Sequence, residues 1–268
     1  LLQAAFVLKA KQVSTQEKFD LIAIYAGMEN GYTERNPPIS GDVASHILTI
    51  SIQQNVGIAQ IMVKDSNGEF VALTGNHVGA LATEYILSQR KEQGKLPANG
   101  AVIKTIVSTE MITPICEAYG VEKMDVLTGF KFIGEKIKGF EETGSHQYLY
   151  GFEESYGCLG GTYARDKDAV YAAVLICEMA AYYKEKGMTL YEALLALYEK
   201  YGYYREGVKS LTMKGLEGME RIALIMKTFR ENTPAELGGF KVVVAKVTIT
   251  INIPYIDIII GRPRPVRC

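Results

Sequence analysis

Leu149-Tyr-Gly-Phe-Glu-Glu-Ser-Tyr-Gly157, running on to Thr162-Tyr-Ala-Arg-Asp-Lys-Asp168, is the stretch on which the reading of this chain turns. It opens as a short apolar run rich in β-formers and breaks at glycine. It then presents two carboxylates and a hydroxyl, and restarts as a long helix after an aspartate. Strand, polar turn, helix is the layout that sets ligand-binding side chains at the carboxyl end of a strand in an α/β sheet. Glu153, Glu154 and Ser155 are short, directional hydrogen-bonding groups between glycines, which suits a polyhydroxylated ligand. Arg165 and Lys167 follow a few residues on, in place to neutralise an anion. The competing reading of the same residues is a solvated turn with a helix cap.

The rest of the composition excludes more than it selects. A chain of 268 residues can bury a substantial core, as one large or two modest domains. With 48% hydrophobic and 22% charged residues it has an ordinary globular composition. A formal charge of −1 gives no basic footprint for nucleic acid. Cys116, Cys158, Cys177 and Cys268 are scattered without a CxxC pair, which fits a reducing cytoplasm better than a redox or metal site. His46, His77 and His146 are equally isolated, so zinc is not expected. No apolar run reaches the roughly 18 residues of a membrane span, so no membrane partner is expected either. The chain begins Leu-Leu-Gln, without a start methionine or signal-peptide order, and is read as the cut end of something longer.

Residues 1–60 offer a strand-like Phe19–Tyr25, turn signals at Asn30-Gly31 and Asn36-Pro37-Pro38, and alternation over Ile47–Ile52. Beyond them the pattern sharpens. Ile61–Asp65 and Glu69–Leu73 flank Ser66-Asn67-Gly68, a hairpin whose Asn-Gly pair tolerates positive φ. Thr74-Gly75-Asn76 opens a helix to about Gln93, with Val78, Leu81, Ala82, Tyr85 and Ile86 at helical spacing and Gly94 as its stop. Val102–Val107 is a buried strand, and Ser108 or Thr109 caps a helix to about Tyr119, ended by Gly120. Val126-Leu127 is a short strand, and Thr128-Gly129-Phe130-Lys131 turns into a helix ending near Lys138. After the opening stretch comes a helix over about 168–186, with Val170, Val174, Cys177 and Ala181 on one face. That places Cys177 as a small core residue rather than a nucleophile. Thr189-Leu-Tyr-Glu192 is a capping box for a helix ending at Gly202. Such alternation predicts an α/β fold, a three-layer α/β/α arrangement with right-handed crossovers. Residues 241–260 are almost all β-formers, and Gly261–Cys268 carries no packing signal.

Three pieces in register carry a resemblance: Leu73-Thr-Gly-Asn-His-Val-Gly-Ala80, Leu127-Thr-Gly-Phe-Lys-Phe-Ile133, and Gly151-Phe-Glu-Glu-Ser-Tyr-Gly157 with Arg165-Asp-Lys-Asp168. Together they resemble the third α/β/α domain, with its mixed sheet, of the α-D-phosphohexomutases, the phosphoglucomutase/phosphomannomutase family. The resemblance runs from about residue 57 to about 245. It implies phosphoryl transfer between the 1- and 6-positions of a hexose phosphate, glucose or mannose. In such enzymes a phosphoserine donates, glucose 1,6-bisphosphate acts as intermediate and activator, and Mg2+ is held by three aspartates. Positioning and charge neutralisation supply most of the rate in such chemistry.

Residue by residue, the resemblance makes Glu153 and Ser155 the sugar-binding pair, with Glu154 as the middle residue of their loop. Lys131 matches the lysine of the Thr-Gly-aromatic-Lys turn, implied to manage a proton or charge near the substrate. Arg165 and Lys167 match a basic pair holding the phosphate region. Other parts of the pattern depart from the family. Where an Asp-Pro-Asp-x-Asp-Arg metal loop is due, Ser51-Ile-Gln-Gln-Asn55 stands, so no metal ligand is assigned. Val43-Ala-Ser-His46 only echoes the phosphoserine loop, and Ser45 is read as coincidence. Arg262 and Arg264 do not match the fourth domain's phosphate clamp. The expected division is therefore a remnant of a preceding α/β domain or an unrelated segment (1–60), the phosphohexomutase-like domain (61–240), and a β-rich tail without a fourth domain (241–268). A truncated or rearranged gene, or a changed reading frame at each end, accounts for such a chain. Catalysis by this chain alone is not expected; the alternative is a non-catalytic fragment that binds hexose phosphate or associates with a mutase.

Overall fold

A computed structural model of the chain describes residues 47–53, 58–206, 215–237, 240–249 and 254–260. Phe19–Tyr25, the echo at 43–46 and the tail from 261 lie outside them, and the 51–55 stretch is described only through Gln53. The chain divides into two compact units, residues up to Tyr201 and residues from Gly202 on. The boundary expected at residue 240 falls inside the second.

The first unit begins with an antiparallel sheet of β1 (Ile47–Gln53), β2 (Ile58–Lys64) and β3 (Phe70–Ala72), in that order. The β2–β3 hairpin lies where the Asn-Gly pair predicts it. Met62 pairs with Ala72 and Lys64 with Phe70. Asp65 clamps the turn, its carboxylate accepting from the amides of Asn67 (2.8 Å) and Glu69 (2.9 Å), while Gly68 adopts φ 81°.

Helix α1 (Gly75–Glu92) follows, then β4 (Gly100–Thr105), α2 (Ile112–Tyr119), β5 (Glu122–Val126), α3 (Phe130–Thr143), β6 (Gln147–Phe152) and β7 (Cys158–Leu159). These strands form a mixed sheet in the order β5-β4-β6-β7. Its first three are parallel and β7 is antiparallel to β6. On one face Ala101, Ile103, Val126 and Tyr148 pack against Phe130, Ile133, Ile137 and Phe140 of α3. On the other lies α1, which also packs against α2, α4 (Ala169–Glu185) and α5 (Leu190–Tyr201). Covered on several sides, α1 buries residues such as Asn76, Thr83 and Glu84 besides its apolar ones. The α/β/α layering is as the alternation requires.

Three details differ from the sequence reading. Helix α2 starts at Ile112 with no side-chain cap. Ser108 and Thr109 are occupied in the loop before it, where the Ser108 carbonyl accepts from buried Lys104 (3.1 Å) and Thr109 Oγ1 accepts from the Met111 amide (3.2 Å). Helix α3 runs past Lys138 to Thr143 because Phe140 prolongs the buried stripe of Ile133 and Ile137, and Gly144 at φ 65° stops it. In α4 the deeply buried face is Ala172, Ala173, Ile176, Met179, Ala180 and Tyr183. The expected face of Val170, Val174, Cys177 and Ala181 is a half-buried seam. Burial pushes the Cys177 thiol up to about 12, which suits a packing residue.

The capping box of α5 forms in full, with Thr189 Oγ1 accepting from the Glu192 amide (3.1 Å) and Glu192 Oε2 from the Thr189 amide (2.7 Å). Thr189→Ala is expected to lower unfolding free energy by about 1 kcal/mol in urea titration.

The second unit holds α6 (Gly215–Glu231), a helix absent from the sequence reading, and the strands β8 (Glu236–Leu237), β9 (Phe240–Ile249) and β10 (Pro254–Ile260). The β-rich run is a hairpin, with Thr248 opposite Tyr255 and Ala245 opposite Ile258. Strands of such apolar composition satisfy their backbone groups by pairing with each other.

Candidate functional site

Parallel strands β4, β5 and β6 deliver their carboxyl ends to one edge of the sheet, and the loops that follow meet there. The turn Glu153–Gly157 is the centre. It closes a hairpin between β6 and β7, so the expected strand–turn–helix is a strand–turn–strand followed by a second loop and then α4. The Glu153 amide donates to the Gly157 carbonyl (2.8 Å), and Tyr156 takes φ 71°, unusual for a residue with a Cβ.

Each neighbouring loop grips this turn. From the β5–α3 loop, the Gly129 amide donates to Glu153 Oε1 (3.2 Å). From the end of β4, Thr105 Oγ1 donates to Glu154 Oε2 (3.2 Å). From the start of α1, Gly75 lies so near that a Cβ there would stand 2.6 Å from the Glu154 carbonyl carbon and 2.8 Å from the Tyr156 nitrogen. The start of α1 is itself fixed. Thr74 Oγ1 accepts from the His77 amide and His77 Nδ1 from the Thr74 amide, both at 3.2 Å, and Asn76 Oδ1 accepts from the Thr109 amide (3.0 Å). The three sequence pieces quoted from residues 73–80, 127–133 and 151–157 are thus one contact surface.

The expected site residues take different places on it. Glu153 is buried, and burial raises its pKa, which Lys167 only partly offsets. Lys167 lies over Gly157, where an added Cβ would be 2.5 Å from Lys167 Cδ and 3.1 Å from Glu153 Oε2. Ser155 is exposed at the tip of the turn. Lys131 is exposed on the first turn of α3, its ammonium 4.9 Å from the centroid of the Phe132 ring. Arg165 is directed elsewhere: its guanidinium donates to the Thr162 carbonyl (2.7 Å) and pairs with Glu141 of α3. So Glu153 and Glu154 are anchored in the turn, the Lys167 stem lies against it with its ammonium paired to Asp166 (3.3 Å), Lys131 and Ser155 are exposed, and Arg165 braces the following loop.

Sequence reasoning passed over the support beneath the turn. Lys104, on β4, has a fully buried side chain paired with Glu110 (3.2 Å) and Asp125 (3.0 Å), and Lys123 completes a quartet with the same two acids. A lysine inside an apolar strand was the signal that could have found it. Among the described residues no group of three or more His, Cys, Asp or Glu gathers as a metal site. No described helix is long and apolar enough to cross a membrane.

A mixed sheet with crossover helices and a polar turn gripped at its carboxyl edge defines an α/β/α domain. Residues 74–201 match the family described as "Phosphoglucomutase/phosphomannomutase, alpha/beta/alpha domain III". Phosphoglucomutase of Staphylococcus aureus strain bovine RF122 / ET3-1 is 36% identical over 203 residues, 75% of this chain and 35% of its own. That of strain MSSA476 is 35% identical over 211 residues, 78% of this chain and 37% of its own. Residues 74–201 thus carry the third domain of the α-D-phosphohexomutase family. The chain spans about a third of the length of these curated relatives. Among solved structures, the pp63/parafusin phosphoglucomutase of Paramecium, in its open form, gives a TM-score of 0.49 at 16% identity, over 78% of this chain and 33% of that one. The N-acetylphosphoglucosamine mutase of Aspergillus fumigatus, solved with GlcNAc-6P and magnesium, gives 0.44 at 16% identity, over 62% and 38%.

Proposed function

We propose that this chain carries the sugar-binding domain of a phosphoglucomutase/phosphomannomutase, the part that holds a hexose 1- or 6-phosphate during phosphoryl transfer. The observation that supports the reading most is the turn 153–157, whose two carboxylates are each tied through one oxygen to a different loop. A carboxylate held by one oxygen keeps lone pairs for other donors, and sugar hydroxyls supply donors. Glu153, Glu154 and Ser155 are the proposed sugar contacts. Lys131 is the proposed charge-managing group beside them, and Arg165 and Lys167, whose cations pair with Glu141 and Asp166, are the proposed contacts to the phosphate. The 61–240 division is retained as the proposed extent of the domain.

Mg2+ and glucose 1,6-bisphosphate belong to the complete reaction. The 51–55 stretch offers hydroxyl and amide oxygens but no carboxylate, a donor set unsuited to a magnesium site. With the phosphoserine and metal loops unmatched, this chain alone is expected to form no glucose 6-phosphate from glucose 1-phosphate, even with Mg2+ and bisphosphate primer.

Binding is the test. Glucose 1-phosphate, glucose 6-phosphate and the mannose pair, titrated into the chain by NMR, are expected to give saturable shifts in residues 153–157. Glu153→Ala is expected to abolish them, because it removes a buried acceptor with its anchor to Gly129. Flat titrations with all four sugars from the folded chain would remove the reading.

A further inference from the structure

The proposed sugar contacts rest on a layer of hydroxyls that the resemblance does not mention. Thr105 ends β4 and is fully buried, and Ser108 is nearly so. Their hydroxyl oxygens are 2.8 Å apart, and either could donate on distance alone. The proton count decides between them. A carboxylate only accepts, and Thr105 has a single hydroxyl proton. With that proton given to Glu154 Oε2 at 3.2 Å, the Ser108 hydroxyl must donate to Thr105. The Ser108 carbonyl in turn accepts from Lys104 Nζ (3.1 Å), which also bonds the Thr105 carbonyl (3.3 Å). The buried ammonium thus fixes the backbone that carries both hydroxyls, and the hydroxyls themselves donate from Ser108 to Thr105 to Glu154.

The geometry points to Thr105 as a positioning residue for the sugar site, with Ser108 fixing the direction of its proton. It holds one oxygen of Glu154 so that the carboxylate meets the ligand already oriented. This deepens the sugar-binding reading and rests on it. A hydroxyl pair that served packing alone would be replaceable by groups of the same shape. One that orients Glu154 is not, because valine keeps the shape of threonine and loses the donor.

Affinity for glucose 1-phosphate in the full chain, with amide exchange of residues 154–157 measured without ligand, tests it. Thr105→Val is expected to weaken binding by about tenfold, the scale of a hydrogen bond to a charged group. Thr105→Ser, which keeps the hydroxyl, should bind within about twofold of the parent. Thr105→Val/Glu154→Ala should bind no more weakly than Glu154→Ala alone, since both remove one interaction. Ser108→Ala gives a second route, with a smaller loss in the same direction. Parent-like binding by Thr105→Val, or losses that multiply in the double variant, would overturn the proposal. If the parent chain binds no sugar phosphate, the functional reading fails and exchange decides this one. Faster exchange in Thr105→Val that disappears in the Glu154→Ala background upholds the positioning role, and unchanged exchange ends it.

Discussion

Gly75→Ala is expected to destabilise the first unit by about 3 kcal/mol, near the top of the range for forcing a methyl into a filled space. The sign is what makes the result informative. Alanine is the better helix former by about 1 kcal/mol, so with room at the start of α1 the change would stabilise. There is no room. The added Cβ would press on the backbone of Glu154 and Tyr156, which cannot rotate aside as a side-chain end can. Gly139 supplies the control. It lies in the middle of α3 with nothing within 4 Å of an added Cβ, so Gly139→Ala is expected to stabilise by up to about 1 kcal/mol. Urea unfolding of the two variants should move in opposite directions. Gly75→Ala should also lose glucose 1-phosphate binding beyond its stability cost, because relief of the clash displaces the turn itself. Two variants shifting together would mean that α1 and the turn are not in contact as described.

Glycine at this position shows how far the sequence could be read. Thr74-Gly75-Asn76 was legible as a helix start, since a cap followed by apolar residues at helical spacing is a local signal. That Gly75 is required by a turn eighty residues later was not, for close approach is a property of the fold. The same division holds elsewhere. The β2–β3 hairpin and the capping box of α5 depend on residues two to four apart, and both formed where expected. Helix α2 started later than its cap residues suggested because Ser108 and Thr109 answer to partners outside the helix, Lys104 among them. At the site, the identity of the turn was legible from its polar residues between glycines. Its anchors, Gly129 and Thr105, were not, because a backbone amide and a strand-end threonine look ordinary until the sheet brings them together. Arg165 illustrates the converse: its charge was legible, but its pairing with Glu141 of α3 depends on the packing of that helix against the loop.

Removing the charge of Lys104 is the other change expected to have a large effect. Its ammonium has no solvent access and faces the Thr105 and Ser108 carbonyls, Glu110 and Asp125, all between 3.0 and 3.3 Å. Lys104→Met keeps most of the side-chain volume but leaves two carbonyls without that donor and two carboxylates facing one lysine. Breaking a buried ion pair from one side costs about 3–5 kcal/mol, against about 1 for an ion pair that water can reach. Lys123 meets the same acids from the solvent side, with its side chain 19% exposed, so Lys123→Met should fall near the lower figure. Burial pulls the Lys123 pKa down, but Asp125 and Glu110 outweigh it and leave it above the ordinary 10.5. A raised pKa on a cation means a contribution complete below the unfolded value and lost only as pH climbs through the folded one. The Lys123 contribution should therefore hold flat from pH 7 to about 10 and decline above it. Replacing the quartet by neutral groups of like shape should recover much of the Lys104→Met loss, since the penalty lies in charges left unmatched rather than in the pairs themselves. Equal costs for the two lysines in urea unfolding would mean that water reaches Lys104. The Ser108 carbonyl would then have no fixed donor behind it, and the hydroxyl pair that orients Glu154 would lose its foundation.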